Sequence, residues 1–271
     1  MNDKGFSFSE IREGKRFPFG ANWISFLDNL DERRITESTD SLRKALGDTG
    51  LRGKTFLDAG CGSGIHSLAA RTLGAKVVSF DFDPLSVKCA VKLRDRVSAL
   101  KDDWQVLQGS VLDPAFLASL GTFEVVYSWG VLHHTGSLWK ALDNVSKSVA
   151  LQGILFIAIY NDQGWLSHYW RAVKMLYNRG AVLRWLLIAI HFPYLVLGRV
   201  ISNTLKRKPS LKRGMSYWID MKDWLGGLPF EVARPEKIVE YLRLRGFVLE
   251  KVRTCGGRPG CNEFLLRKGV Q

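Results

Sequence analysis

Asp58, Gly60, Gly62 and Gly64 fall close together in the run Lys54-Thr-Phe-Leu-Asp-Ala-Gly-Cys-Gly-Ser-Gly. Glycines at alternate positions suit a turn that needs φ > 0 and a ligand that must approach the backbone. Asp81 follows Gly60 by 21 residues (81 − 60), near the spacing of roughly 20 at which a carboxylate meets a ribose hydroxyl pair. Asp58, two positions before the first glycine, suits a ligand carrying a cationic amino group. Together these residues point to the holding of a nucleoside that also bears an ammonium. Further on, Ser128-Trp-Gly-Val-Leu-His133-His134-Thr sets two imidazoles side by side. Histidine, with its near-neutral pKa, is the natural acceptor when a hydroxyl or amine gives up a proton.

The elements that must position these groups alternate. Residues 55–59 are a short apolar run with β character; Ile65, Leu68, Ala69 and Leu73 then recur at helical spacing. The helix would point its free N–H groups and positive dipole end at the turn, which favours a polar or anionic ligand. Strands follow over 76–80, 104–107, 123–127 and 153–160, with helices over 85–101 and 138–149 between them. The run 153–160 is apolar throughout, as a central parallel strand reads. A helix over 234–246 and strands over 247–254 and 263–267 close the chain. This order predicts an α/β fold: a doubly wound, Rossmann-like, seven-stranded sheet with an antiparallel C-terminal edge hairpin and a helical insert between strands five and six. It divides into an N-terminal helical cap (1–50), a core (51–160), the insert (161–219) and a C-terminal completion of the core (220–271). Ligands of such sheets sit at the carboxyl ends of the strands, where residues 60–64, 81–82, 110, 128–134 and 160–161 all fall.

Ile65 stands where a dinucleotide fingerprint wants a small residue, whereas Asp58-Ala-Gly60-Cys-Gly62-Ser-Gly64 matches D-x-G-x-G-x-G in full. In this the chain resembles the class I S-adenosylmethionine (SAM)-dependent methyltransferases, and over roughly 55–160 the ubiquinone-type O-methyltransferases. The resemblance implies SAM as cofactor, held by Asp58, Gly60, Gly62, Gly64, Asp81, Phe82, Ser110, Val111 and Ser128. Phe82 would flank the adenine, and Ser110, after Gly109, would face its amino group. By their chemistry His133 and His134 are the candidate catalytic bases, one of the pair meeting substrate, with Trp129, Tyr160 and Asn161 as guesses for substrate contacts. Relatives commonly carry Glu-Val-Leu-Glu-His-Val where this chain has Gly130-Val-Leu-His133-His134-Thr. Both acids are lost, so no metal is expected. The implied reaction is methylation of a small-molecule or lipid-linked acceptor, most simply at a phenolic oxygen; the alternatives are RNA, or a soluble sugar or thiol.

Of 271 residues, 46% are hydrophobic, ample for a core, and the formal charge is +13. Much of that charge lies in the insert. Between Gln163 and Ile219 there is no Asp or Glu, but there are ten Lys and Arg. The insert also holds the apolar run 185–197, too short and too interrupted by His191 and Pro193 to span a bilayer. Arg184 and His191 would share one face of an amphipathic helix lying in a membrane interface. The predicted partner is therefore an anionic membrane surface touching residues 181–213. A solvated helical lid over the substrate is the competing reading. Nucleic acid is disfavoured, since the basic residues accompany aliphatic side chains and no Asn/Asp-Pro-Pro-Tyr-like motif follows the fourth strand. Four cysteines without C-x-x-C spacing, and an N-terminus without an apolar h-region, point to a cytoplasmic protein, peripheral on the membrane's inner face.

Overall fold

The computed structural model describes residues 10–11, 13–20, 23, 27, 30–47, 50–97, 102–197 and 217–270. Its elements run α1 (Glu32–Leu46), β1 (Thr55–Ala59), α2 (Ile65–Thr72), β2 (Lys76–Asp81), α3 (Pro84–Arg96), β3 (Trp104–Gln108), α4 (Pro114–Leu120) and β4 (Phe123–Trp129). A 3-10 turn (Leu132–His134), α5 (Leu138–Lys147), β5 (Val149–Tyr160), α6 (Trp165–Tyr177) and α7 (Ala181–Phe192) follow. A π turn (Pro193–Leu197), α8 (Tyr217–Gly226), α9 (Pro235–Arg243), β6 (Phe247–Arg253) and β7 (Cys261–Lys268) complete the chain.

The seven strands form one sheet in the order β3-β2-β1-β4-β5-β7-β6. β1 to β5 pair in parallel, while β7 runs antiparallel to both β5 and β6. The period-2 alternation of strand side chains splits the apolar set between two faces. Leu57, Val126, Leu155 and Ile157 join α4, α5 and α9 on one side. Phe56, Val125, Ile154 and Phe156 join α1, α2 and α3 on the other. Full burial of each such side chain contributes roughly 1.5–3 kcal/mol, so both helical layers are tied to the sheet by many small terms.

Local signals place the helix starts. Asp83 caps α3 by accepting from Leu85 N at 2.8 Å, with Pro84 in the first turn. Asp113 does the same for α4. The helix expected over 85–101 stops earlier, at Arg96, with Val97 at its cap outside helical dihedrals. β5 starts four residues before the expected 153, because Val149 already pairs with Phe123 across a register shift.

The insert has its own core. Trp170, Val173, Tyr177, Leu187, Ile188, Leu195 and Val196 pack with Phe17 of the N-terminal segment and with Met221 and Leu225 of α8. Its packing therefore draws on residues beyond 219. His191 is buried, its Nδ1–H donating to Leu187 O and its Nε2 accepting from Tyr169 Oη, both at 2.7 Å. It does not share a solvent edge with Arg184, which lies over the Tyr177 ring. Residues 198–213 of the expected membrane-contacting segment lie outside the described residues. Among the described residues no helix is long and apolar enough to cross a membrane.

Candidate active site

A cavity of about 1370 Å³ opens at the carboxyl ends of β1, β2, β4 and β5. Gly60 sits at φ +85°, and a Cβ there would meet Val131 Cγ1 at 2.4 Å. Gly64, at φ +81°, starts α2 against the Ala90 backbone, outside the cavity lining. The turn spends its donors internally: Gly60 N and Cys61 N bond Phe80 O at 2.9 and 3.0 Å, and Gly62 N bonds Asp81 Oδ2 at 2.9 Å. Its glycines allow close approach of a ligand to the backbone.

Two carboxylates dominate this half of the cavity. Asp58 is buried at the end of β1, accepting from Ser67 Oγ at 2.6 Å. Burial raises its pKa to about 7 against the lowering effect of that bond, and the Asp81 charge pushes the same way. Asp81 accepts Gly62 N at Oδ2 and Asp83 N at Oδ1, both at 2.9 Å. Burial again leads, raising it to about 6. Each Asp81 oxygen accepts one of these N–H groups, and a carboxylate oxygen can take a second donor. Phe82 lines the cavity with the Arg16 guanidinium 5.1 Å from its ring centre. Ser110 and Val111 line it as well, Ser110 Oγ holding Leu112 N at 3.1 Å. Ser128 does not: it is buried, bonding Ala59 O and so tying β4 to β1.

The other half is aromatic. Trp129, His134, Tyr160 and Trp224 line it, together with Tyr194 from the π turn. The paired histidines differ sharply. His133 has no exposed surface and does not line the cavity. Its Nδ1 accepts from Tyr160 N at 3.4 Å, and its Nε2 has no partner among the described residues. Burial, then the neighbouring positive charges, hold its pKa well below the usual value. His134 lines the cavity, and its Nδ1–H donates to Pro229 O at 2.7 Å. A carbonyl can only accept, so the neutral ring keeps its lone pair at Nε2. Burial first and the Lys174 charge second lower its pKa to about 3. Of the two candidate bases only His134 reaches the cavity, because the 3-10 turn sends His133 beneath Tyr160. Asn161 is also off the cavity, accepting Asn262 Nδ2 at 2.9 Å.

Sequence reasoning did not single out Arg16, His66, Asp220, Asp223 or Arg258, all in the lining. Nothing local marks them, since they arrive from the N-terminal segment, α2, α8 and the β6–β7 hairpin. Trp224 of α8 stands in the same lining. Its Nε1 is buried without a partner among the described residues, a donor the fold leaves unused.

Comparison with known proteins decides the family. The methyltransferase-domain profile matches residues 30–196, more than half of the chain. The chain belongs to that family. It is a class I SAM-dependent methyltransferase, and SAM is its cofactor. A ubiquinone biosynthesis O-methyltransferase of Pelagibacter ubique is 28% identical over 225 residues, 80% of this chain and 88% of the relative. A ribosomal protein L11 methyltransferase of Anoxybacillus flavithermus is 44% identical over 120 residues, 39% of this chain and 38% of that protein. Two solved structures share the fold. PKMT2 from Rickettsia typhi, in complex with AdoHcy, has TM-score 0.57 at 15% identity, covering 87% of this chain and 54% of that one. Magnesium protoporphyrin IX methyltransferase from Synechocystis PCC 6803, with bound SAH, has TM-score 0.52 at 14% identity, covering 86% and 83%. The cavity suits the cofactor: side-chain-free turn residues leave room at β1, and Asp81 keeps acceptor capacity toward a diol. When bound, SAM supplies a sulfonium methyl to a nucleophile.

Proposed function

We propose that this enzyme O-methylates an amphiphilic, phenol-like acceptor that reaches the cavity from an anionic membrane surface. In this reading Asp81 holds the ribose, Phe82, Ser110 and Val111 surround the adenine, and Asp58 with the glycine turn holds the methionine end. His134 receives the acceptor's proton at Nε2, without a metal. The fixed tautomer supports that role, because a ring whose Nδ1–H is spent on Pro229 O offers only Nε2 as acceptor.

The observation that carries the acceptor class is the position of Tyr194. It lines the cavity and is also 61% exposed. It continues an apolar stripe along α7, where Val182, Trp185, Leu186 and Ile190 are each more than half exposed. A stripe of this kind gains from burial in the headgroup region. Nearby Lys and Arg add roughly 1 kcal/mol each near an anionic surface. Arg179 and Arg184 flank the stripe, and the sequence 199–213 carries six more. The likeness to ubiquinone biosynthesis O-methyltransferases points the same way.

Two measurements test the reading. Vesicle co-sedimentation should show binding to anionic, not neutral, lipid, weakening as salt rises. Trp185→Glu with Ile190→Glu, both at exposed positions, should abolish it while the fold is retained. Release of S-adenosylhomocysteine should then be fastest with hydroxylated aromatic acceptors bearing an apolar tail. Equal binding by wild type and the double variant, or faster turnover on soluble sugars or thiols, would overturn it.

A further inference from the structure

Lys174 is one of the ten basic residues of the insert, yet its side chain has no exposed surface. Its Nζ bonds the Trp224 carbonyl. Around it stand three rings: Trp224 and Phe230 at 4.8 Å and Tyr160 at 5.9 Å from their centres. An ammonium has three donors, and among the described residues Nζ makes this one hydrogen bond. The rings stabilise the cation through their faces. Packing alone would be served by an apolar side chain of similar length, since a buried charge needs compensation that an apolar group does not. The cage is also the wall of the acceptor site, for Tyr160 and Trp224 line the cavity. Tyr160 in turn touches both histidine rings, 3.9 Å from His133 and 5.3 Å from His134.

We propose that Lys174 is a positioning residue forming a one-proton pair with His134, so that His134 can take the acceptor's proton only when Lys174 has released its own. The inference rests on His134 being the proton acceptor. Both groups pack on the Tyr160 ring, Lys174 Nζ 5.9 Å and the His134 ring 5.3 Å from its centre. Two positive charges there would oppose each other across a dry, ring-lined space, so the pair titrates as a unit. Burial holds the Lys174 amine near 7 despite Asp223 of α8 and Cys261 of β7, which favour its charge. His134 is faced by Lys174 from α6, by His133 beside it, by the Arg16 guanidinium of the N-terminal segment and by the Pro229 carbonyl. Lys174 is the one that changes near neutrality. As an ammonium it suppresses the basicity of His134; as an amine it releases it. The enzyme would therefore gain activity as pH rises through the Lys174 titration.

The test needs no acceptor. With imidazole-labelled apo enzyme, the five histidine rings are followed by NMR across pH, His134 being assigned from His134→Gln. The His134 midpoint should rise by about one unit or more in Lys174→Met, and stay at the wild-type value or below in Lys174→Arg, which keeps the charge. In the wild type, the Lys174 Cε resonance should titrate near neutrality. A His134 midpoint unchanged in Lys174→Met overturns the pairing. So does a Lys174 resonance titrating in the ordinary lysine range, which settles the matter even if neither variant folds. Coupled titration without turnover of any hydroxyl acceptor would leave the pair standing and remove the proposed function. Turnover without coupling would do the reverse.

Discussion

Asp81→Ala, set beside Asp81→Asn, tests the cofactor assignment most directly. In the folded enzyme the two Asp81 oxygens each take one backbone N–H, Gly62 N and Asp83 N, both at 2.9 Å. Truncation removes a charged acceptor for the ribose hydroxyls, worth roughly 1.5–3 kcal/mol, or about ten- to hundredfold in SAM affinity. It also frees the two N–H groups, which line an open cavity where water can replace the lost bonds. Asparagine keeps the shape but offers one oxygen, so its amide N–H₂ must face one of the two backbone donors. That clash of donors should cost about 1–3 kcal/mol of stability. The two variants therefore separate the roles. Both should bind S-adenosylhomocysteine at least tenfold more weakly by calorimetry, and Asn should melt no higher than Ala. If Ala binds within threefold of wild type, Asp81 does not hold the ribose. If Asn melts above Ala by several degrees, the donor accounting around the turn is wrong.

The remaining expectations follow from the same groups. Asp58 and Asp81 have folded pKa values of about 7 and about 6, raised above the usual 3.8. The folded apo enzyme therefore holds protons that the unfolded chain releases, and this stability is full below about pH 4 and lost as pH rises through about 7. Lys174, depressed to about 7, changes its contribution only above that pH. His133 and His134, held below the usual histidine value of 6.5, act oppositely and add stability as pH rises toward that value. The carboxyls are therefore read by difference: the melting temperature of the wild type relative to Asp58→Asn should fall between pH 5 and 7. A flat or rising difference by calorimetry would contradict the raised carboxyl. His134→Gln should lower turnover by 10²- to 10⁴-fold with SAM affinity unchanged, whereas His133→Gln should act mainly on melting temperature; equal turnover losses from both would remove the distinction drawn between them. Gly60→Ala puts a Cβ into Val131 at a φ of +85° and should weaken SAM binding more than tenfold; wild-type binding would show that the turn does not need that approach.

Much of this was legible because its causes are local. The glycine turn follows from φ > 0 at Gly60, Gly62 and Gly64, and the helix starts after Asp83 and Asp113 follow from side-chain caps. The parallel order follows from the alternation of apolar strands with amphipathic helices. The antiparallel edge follows from the two strands that close the chain without a helix between them. What stayed hidden depends on direction rather than type. His133 and His134 read alike in sequence, and only the 3-10 turn decides that one faces the cavity while the other lies under Tyr160. Ser128 reads as a site residue by position, yet the strand pleat turns it onto Ala59 O.

The insert carries the sharpest case. Its lysines and arginines look uniform in sequence, and a run without acids reads as a solvated or membrane-facing surface. Helix periodicity divides it otherwise. On α6, Trp170, Val173, Lys174 and Tyr177 recur at helical spacing and are all buried, so Lys174 takes a core position and its charge faces rings instead of water. On α7 the same geometry sends Leu187, Ile188 and His191 inward and leaves Trp185, Leu186 and Ile190 outside. The insert thus exchanges the usual placement, one charge in and an apolar stripe out. Each half of that exchange costs stability in water, and each lies beside the acceptor half of the cavity, through Tyr160 and Trp224 on one side and Tyr194 on the other. Such costs persist where the displaced group serves the site, which is the sense of the two proposals made above, a proton partner in one case and a route for an apolar acceptor in the other.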